Sequence, residues 1–225
     1  MRRPMIAGVL LACAVAPALG DYWVQYQPLP DAPWPEDQGW ERITAYGGAQ
    51  RSIEDGALVL DSLGSGGIMD YYRAFRPGQI HAEPGHPFVV EWCAAVDYAT
   101  AAEAFVAVFS DDQWGVGFNM MPDRIYSAYE WPLNAPFTPG LHVFRMTSWD
   151  MRSYTLSIDG VDALNGSFAD IPWSARISWG DGGQGGVSLS RWQRFGFGIV
   201  PEPSGLSLVS LFLACGLRSV CRRRA

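Results

Sequence analysis

Two Asp-Gly pairs, Asp55-Gly56 and Asp159-Gly160, constrain this chain more than any other feature. A two-residue hairpin turn needs positive φ at both central residues, which glycine adopts freely and aspartate tolerates. Both pairs sit between strand-like runs. Arg51-Ser52-Ile53-Glu54 precedes the first and Ala57-Leu58-Val59-Leu60 follows it. Before the second, Ser153-Tyr154-Thr155-Leu156-Ser157-Ile158 alternates strictly. Tyr154, Leu156 and Ile158 then share one face and the hydroxyl residues the other, the pattern of a half-buried strand. Residues 141–148 supply its partner, joined through Trp149-Asp150-Met151-Arg152.

The rest of the body reads the same way. Strands are predicted over residues 69–75, 88–98, 103–110, 114–120 and 187–199, with Asp111-Asp112 opening the turn before Trp114. The 88–98 run is apolar enough for a central strand covered on both faces. In the last strand Trp192 and Phe195 fall out of phase, which predicts a bulge near Gln193. The glycine-rich stretch 180–186 is expected to be a loop, and the alanine-rich residues 98–104 a connection. No segment between residues 39 and 199 carries a convincing ten-residue helical period. The predicted fold class is all-β, an antiparallel β-sandwich over residues 39–199, long enough for one core. Residues 21–38, rich in proline and aromatics, read as an extended arm packed across it.

The two ends carry different signals. Residues 1–20 fit a secretory signal peptide: Arg2 and Arg3, an apolar stretch, then Ala18-Leu19-Gly20, with cleavage expected between Gly20 and Asp21. At the other end, Pro201-Glu202-Pro203 precedes an uncharged span from Ser204 to Leu217, then Arg218 and the cluster Arg222-Arg223-Arg224. The span is shorter than the roughly 20 residues of a relaxed transmembrane helix, but terminal arginines can snorkel to the interface. They also favour a cytoplasmic C-terminus. Residues 200–225 resemble the PEP-CTERM sorting signal of exported bacterial proteins. The resemblance implies an exosortase-type processing enzyme as partner and a membrane-anchored precursor, held in the inner membrane by its C-terminal helix. The product is then expected at the cell surface or outside the cell.

Charge and cysteine content narrow the function classes. The chain has no lysine, and between signal and tail ten arginines face 22 acidic residues, a net charge of −12. Such a body is a poor partner for nucleic acid or anionic lipid. Cys93 is the single cysteine of the body, so no disulfide can form within it, and it is expected to be buried. No zinc-type Cys/His spacing occurs. Calcium is the plausible metal, with Asp111, Asp112 and Asp181 at predicted loop ends as weak candidates, although aspartate is also an ordinary turn residue.

The succession Asp55-Gly56 with residues 57–60, Val89-Val90-Glu91-Trp92, His142-Val143-Phe144-Arg145, residues 154–160 and Ile177-Ser178-Trp179-Gly180-Asp181 resembles concanavalin A-like or laminin G-like jelly rolls. That resemblance implies two curved antiparallel sheets and a sugar-binding face. Hydrolases among such proteins carry a Glu-x-Asp-x-x-Glu strand motif, which is absent here. Glu91 and Asp97 share a strand face, but six residues separate them by roughly 20 Å. Glycoside hydrolysis needs carboxylates about 5–9.5 Å apart. No catalytic residues are therefore assigned. Aromatics give the ligand candidates: Trp114, Tyr126, Tyr129 and Trp131, with Asn119 to orient hydroxyls, each of which has a core role as its alternative. The expected function is an exported, surface-sorted, non-catalytic glycan-binding or adhesion module with a polysaccharide as partner. The alternatives are a purely structural matrix component and a laminarinase-like glycoside hydrolase.

Overall fold

A computed structural model describes residues 24–64, 66–76, 78–100, 104–110, 114–130, 133–171, 173–181 and 186–200. The expected signal peptide, the sorting tail, Asp111, Asp112 and Trp131 lie outside them. Among the described residues no helix is long and apolar enough to cross a membrane.

Among the described residues sixteen strands build two antiparallel sheets packed as a β-sandwich. They are β1 (Val24–Tyr26), β2 (Glu41–Ala45), β3 (Gln50–Glu54), β4 (Ala57–Asp61), β5 (Ile68–Ala74), β6 (Phe88–Ala99), β7 (Ala104–Phe109) and β8 (Trp114–Met121). Then come β9 (Arg124–Ser127), β10 (Asn134–Pro136), β11 (His142–Ser148), β12 (Ser153–Ile158), β13 (Val161–Ser167), β14 (Ala169–Asp170), β15 (Arg176–Asp181) and β16 (Ser188–Ile199). The first sheet runs β13-β12-β11-β6-β16-β4-β3, with β1 on β16. The second runs β10-β9-β8-β7-β15-β5-β2, with β14 on β8.

The turn signals hold locally. Asp55 and Gly56 have φ of 49° and 74°, and Asp159 and Gly160 have 51° and 81°. The register of β16 against β6 shifts between Trp192 and Arg194, which bulges Gln193 out. That shift puts Trp192 and Phe195 on the same inner face, both fully buried. The predicted loop at residue 180 begins later than expected: Gly180 and Asp181 are the last residues of β15, paired on both sides with β5 and β7.

Aromatic rings fill the space between the sheets. Trp179 stacks on Phe195 with centroids 5.3 Å apart, and Tyr26, Tyr71, Trp192 and Trp40 surround it at 5.0–5.7 Å. A second cluster centres on Trp92 with Phe144 and Phe118. Such pairs add about 0.5–1.5 kcal/mol each beyond the area they bury. The N-terminal arm belongs to this core. Its strand β1 pairs with Phe195–Phe197 of β16, and Tyr26 is fully buried. A single 3-10 turn, Pro35–Gln38, follows it. Arg51 clamps that turn. Its guanidinium lies 4.1 Å from the Trp34 ring centroid and donates to Glu36 at 2.6 and 2.8 Å and to Tyr71 Oη at 3.0 Å.

Candidate functional site

The site is a furrow across the outer face of the second sheet, and strand register explains it. Inward positions of β15, β7 and β8 are Ile177 and Trp179, Val106 and Val108, and Val116, Phe118 and Met120. The intervening residues therefore face outward and line up in rows across the strands. Asp70, Gly180, Phe105, Asn119 and Tyr126 form one row. Tyr72, Ser178, Ala107 and Gly117 form the next, and Arg176, Phe109 and Gly115 a third. From Ser178 to Gly117 the middle row is all small side chains, so a trough runs between two taller rows. Its volume is about 260 Å³. That lies just below the usual range of small-molecule pockets, about 300–1,000 Å³.

Two exposed rings stand at the rim. Trp173, between β14 and β15, packs on Phe109 with centroids 4.7 Å apart. The Arg176 guanidinium lies 4.6 Å from the Trp173 centroid and 5.2 Å from that of Phe109. Tyr129 lies over Gly117, where an added Cβ would approach its ring to 3.1 Å. Tyr129 is 43 % and Trp173 49 % exposed, so both rings keep a face open beside the trough.

The loop that carries Tyr129 is firmly held. Ser127 Oγ accepts from the backbone N–H groups of Tyr129 and Glu130 at 3.4 and 3.2 Å. Ala128 N–H donates to the Gly117 carbonyl at 2.8 Å. The Glu130 carboxylate accepts from Ser167 N–H at 2.9 and 3.0 Å and from the Tyr154 hydroxyl at 3.1 Å. It lies against Gly166, where any Cβ would collide with Glu130 and Tyr154. Loop and edge strand are thus pinned together, and the ring is preorganised.

Asp70 and Arg176 are the charged groups of the furrow. Burial lifts the Asp70 carboxyl to about 6, with the Arg176 charge pulling the other way. Asp70 Oδ1 and Arg176 Nε are both shut off from solvent and have no hydrogen-bond partner.

Of the residues that sequence pattern singles out, the structure brings Asn119 and Tyr129 together in the furrow. Tyr126 sits next to Asn119 on the same face, at the furrow's end. Trp114 is elsewhere. It shares the inward parity of Val116 and Phe118, packs at the core margin and carries the Arg152 guanidinium 4.1 Å from its ring centroid. Asp181, a calcium candidate, is 1 % exposed and points inward at the end of β15. Among the described residues no group of three or more His, Cys, Asp or Glu side chains could hold a metal ion. Sequence reasoning missed Asp70, Ser178, Trp173 and Arg176. The alternation Arg176-Ile177-Ser178-Trp179 carries the signal for two of them.

Elsewhere, Glu91 meets Arg145 at 3.4 Å and Arg194 at 3.1 Å, and Asp97 meets Arg191 at 2.7 Å. His142 places Nδ1 2.7 Å from Asp159 Oδ2, as a His-Asp catalytic pair would. Its Nε2 meets the Thr138 carbonyl at 2.6 Å, where a nucleophile's hydroxyl would have to sit. This pair fastens the β11–β12 hairpin.

No family model matches the chain, and no curated protein matches it in sequence. Among solved structures it resembles a conserved carbohydrate esterase of the Shiga toxin-encoding bacteriophage phi24B. The TM-score is 0.54 at 14 % identity, over 80 % of this chain and 98 % of that one. A weaker likeness is to the binding domain of botulinum neurotoxin serotype C1, with TM-score 0.47 and 12 % identity over 78 % of this chain. There this chain spans about half of the other's length, 48 %. At such identities the esterase likeness is one of fold alone.

Proposed function

We propose that this is an exported surface or matrix protein whose sandwich, a jelly roll of the concanavalin A-like or laminin G-like type, binds a glycan without cleaving it. The single observation that carries the reading is the furrow: a trough of small residues with polar groups in it and two exposed rings at its rim. Sugar recognition needs an apolar face for the ring's C–H surface and directed groups for its hydroxyls. Tyr129 and Trp173 supply the first, and Asn119, Ser178, Asp70 and Arg176 the second. The non-catalytic part of the reading is supported by Glu91 and Asp97, each engaged by arginine.

Export and sorting rest on the two ends of the sequence. Cleavage after Gly20 would release the chain from its signal. Pro201-Glu202-Pro203 would then present extended chain to an exosortase at the outer boundary of the inner membrane, because proline withholds an amide donor and restricts its predecessor. In a host with the matching enzyme, replacing those three residues by alanine leaves a full-length, membrane-held product while the wild type is shortened at the surface. Equal shortening of both would remove the motif from the reading.

The glycan reading is tested by retention of the protein on a panel of immobilised polysaccharides, with and without calcium. Saturable binding to at least one is expected, weakened about fivefold to a hundredfold by Tyr129→Ala or Trp173→Ala, since stacking of a flat ligand face on an aromatic ring is worth on the order of 1–3 kcal/mol. Binding to none would refute it, and release of reducing sugar would make the protein a hydrolase.

A further inference from the structure

Asp70 and Arg176 both line the furrow and are only half-buried, so each keeps part of its polar head open to it. Asp70 faces out opposite Gly180, which has no side chain to cover it. Arg176 acts on Asp70 as a charge and not as a hydrogen-bond donor. A ligand that meets the open part of both must accept from Arg176 and donate to Asp70. A sugar hydroxyl does both, and neighbouring hydroxyls on one ring can do so together. An ionised sugar carboxylate can only accept. It would suit Arg176 but bring a second negative charge next to Asp70, and like charges in a partly dry site repel strongly.

The groups around Asp70 weigh the same way. On β15 these are Arg176 and Asp181, on β5 the Tyr72 phenol, and on β2 Glu41, which accepts from the Tyr72 hydroxyl. Strand β7 contributes Phe105 and Ala107 to the furrow, neither of them charged. Two carboxyl groups, Asp70 and Asp181, thus act near one guanidinium, in a body whose net charge is already −12.

We propose that the furrow takes a neutral, hydroxyl-rich sugar residue and turns away acidic sugars, with Asp70 as the residue that makes the distinction. This rests on the glycan-binding reading above. It has a proton signature. A hydroxyl donating to Asp70 favours the ionised carboxylate, so binding releases a proton where free Asp70 is still protonated. Affinity for a neutral glycan therefore falls about tenfold from about pH 7 to pH 5.

The test is calorimetric titration of the full chain with two sets of short oligosaccharides. One set is neutral (glucan, mannan and xylan fragments) and the other acidic (oligogalacturonate and alginate fragments). The titrations are run at both pH values, on wild type and Asp70→Asn. A neutral fragment should bind and the acidic ones bind at least about tenfold more weakly. The variant, with its fold checked by thermal melting, should lose the pH dependence and narrow the discrimination. Acidic fragments binding as tightly as neutral ones would overturn the assignment while leaving glycan binding intact. So would a variant that keeps both the discrimination and the pH dependence. No binding by either set at either pH would sink the assignment together with the reading beneath it.

Discussion

The two outer faces of this sandwich are built from the same kinds of residue and end in different states. On the first sheet, Glu91 is shared by Arg145 and Arg194, Asp97 is held by Arg191, and Thr155 donates to Asn165 at 2.8 Å. On the second sheet, Asp70 and Arg176 stand in one furrow, and each has a buried atom without a partner. On the first face each of these carboxylates has an arginine partner, although Arg191 Nε is itself buried and unbonded. On the second, Arg176 acts on Asp70 only as a charge, beside two exposed rings. Charge alone therefore says little about function, and what distinguishes the faces is whether the carboxylates are already paired with arginine.

The largest expected effect calibrates this contrast, because both faces rest on one core. Trp179 touches rings from both sheets, so Trp179→Ala should cost about 3–5 kcal/mol. It should remove the furrow and the arginine network together in a denaturant melt. Survival of either face in that variant, read by its ligand or by arginine side-chain resonances, would mean the faces are not supported in common.

Asp70→Asn comes next, and it should stabilise. The folded carboxyl titrates at about 6 and the ordinary one near 3.8. The folded state thus holds the extra proton between those values, and stability contributed by this group falls as pH rises through that window. Removing the charge should gain on the order of 2 kcal/mol at neutral pH and flatten the profile between about pH 4 and 6. A destabilised variant would mean Asp70 is satisfied in a way the furrow does not reveal.

Glu91→Gln on the closed face should do far less. Its arginine partners are substantially exposed, so a loss of about 0.5–1 kcal/mol is expected, shrinking in salt, with no change in glycan binding. A larger loss, or a change in binding, would break the division between the faces. Smallest of all, Trp114→Phe should leave binding unchanged, because Trp114 faces the core margin and Arg152 rather than the furrow.

Local features were legible in the sequence and cross-strand ones were not. The Asp-Gly turns, the Gln193 bulge and the buried Cys93 each depend on a few consecutive residues, and each appears where the pattern places it. The furrow depends on register. Ser178, Ala107 and Gly117 come from three strands, and only their pairing brings these small residues into one row. Nearness along the chain groups Trp114 with Asn119. Strand parity separates them, since 114, 116, 118 and 120 share the inner face while 115, 117 and 119 lie outside. Gly115 and Gly117 in that outward set were the trace of a trough, visible once alternation is followed through β8.

The contrast between the faces is tested most directly by an amide and indole NMR titration of the protein with the glycan that it retains best. On this account, signals of Gly117, Asn119, Ser178 and the Trp173 indole shift together and saturate, while Glu91, Arg145 and Arg194 stay still. Saturating shifts confined to the arginine-bridged face, with the furrow unmoved, would contradict it.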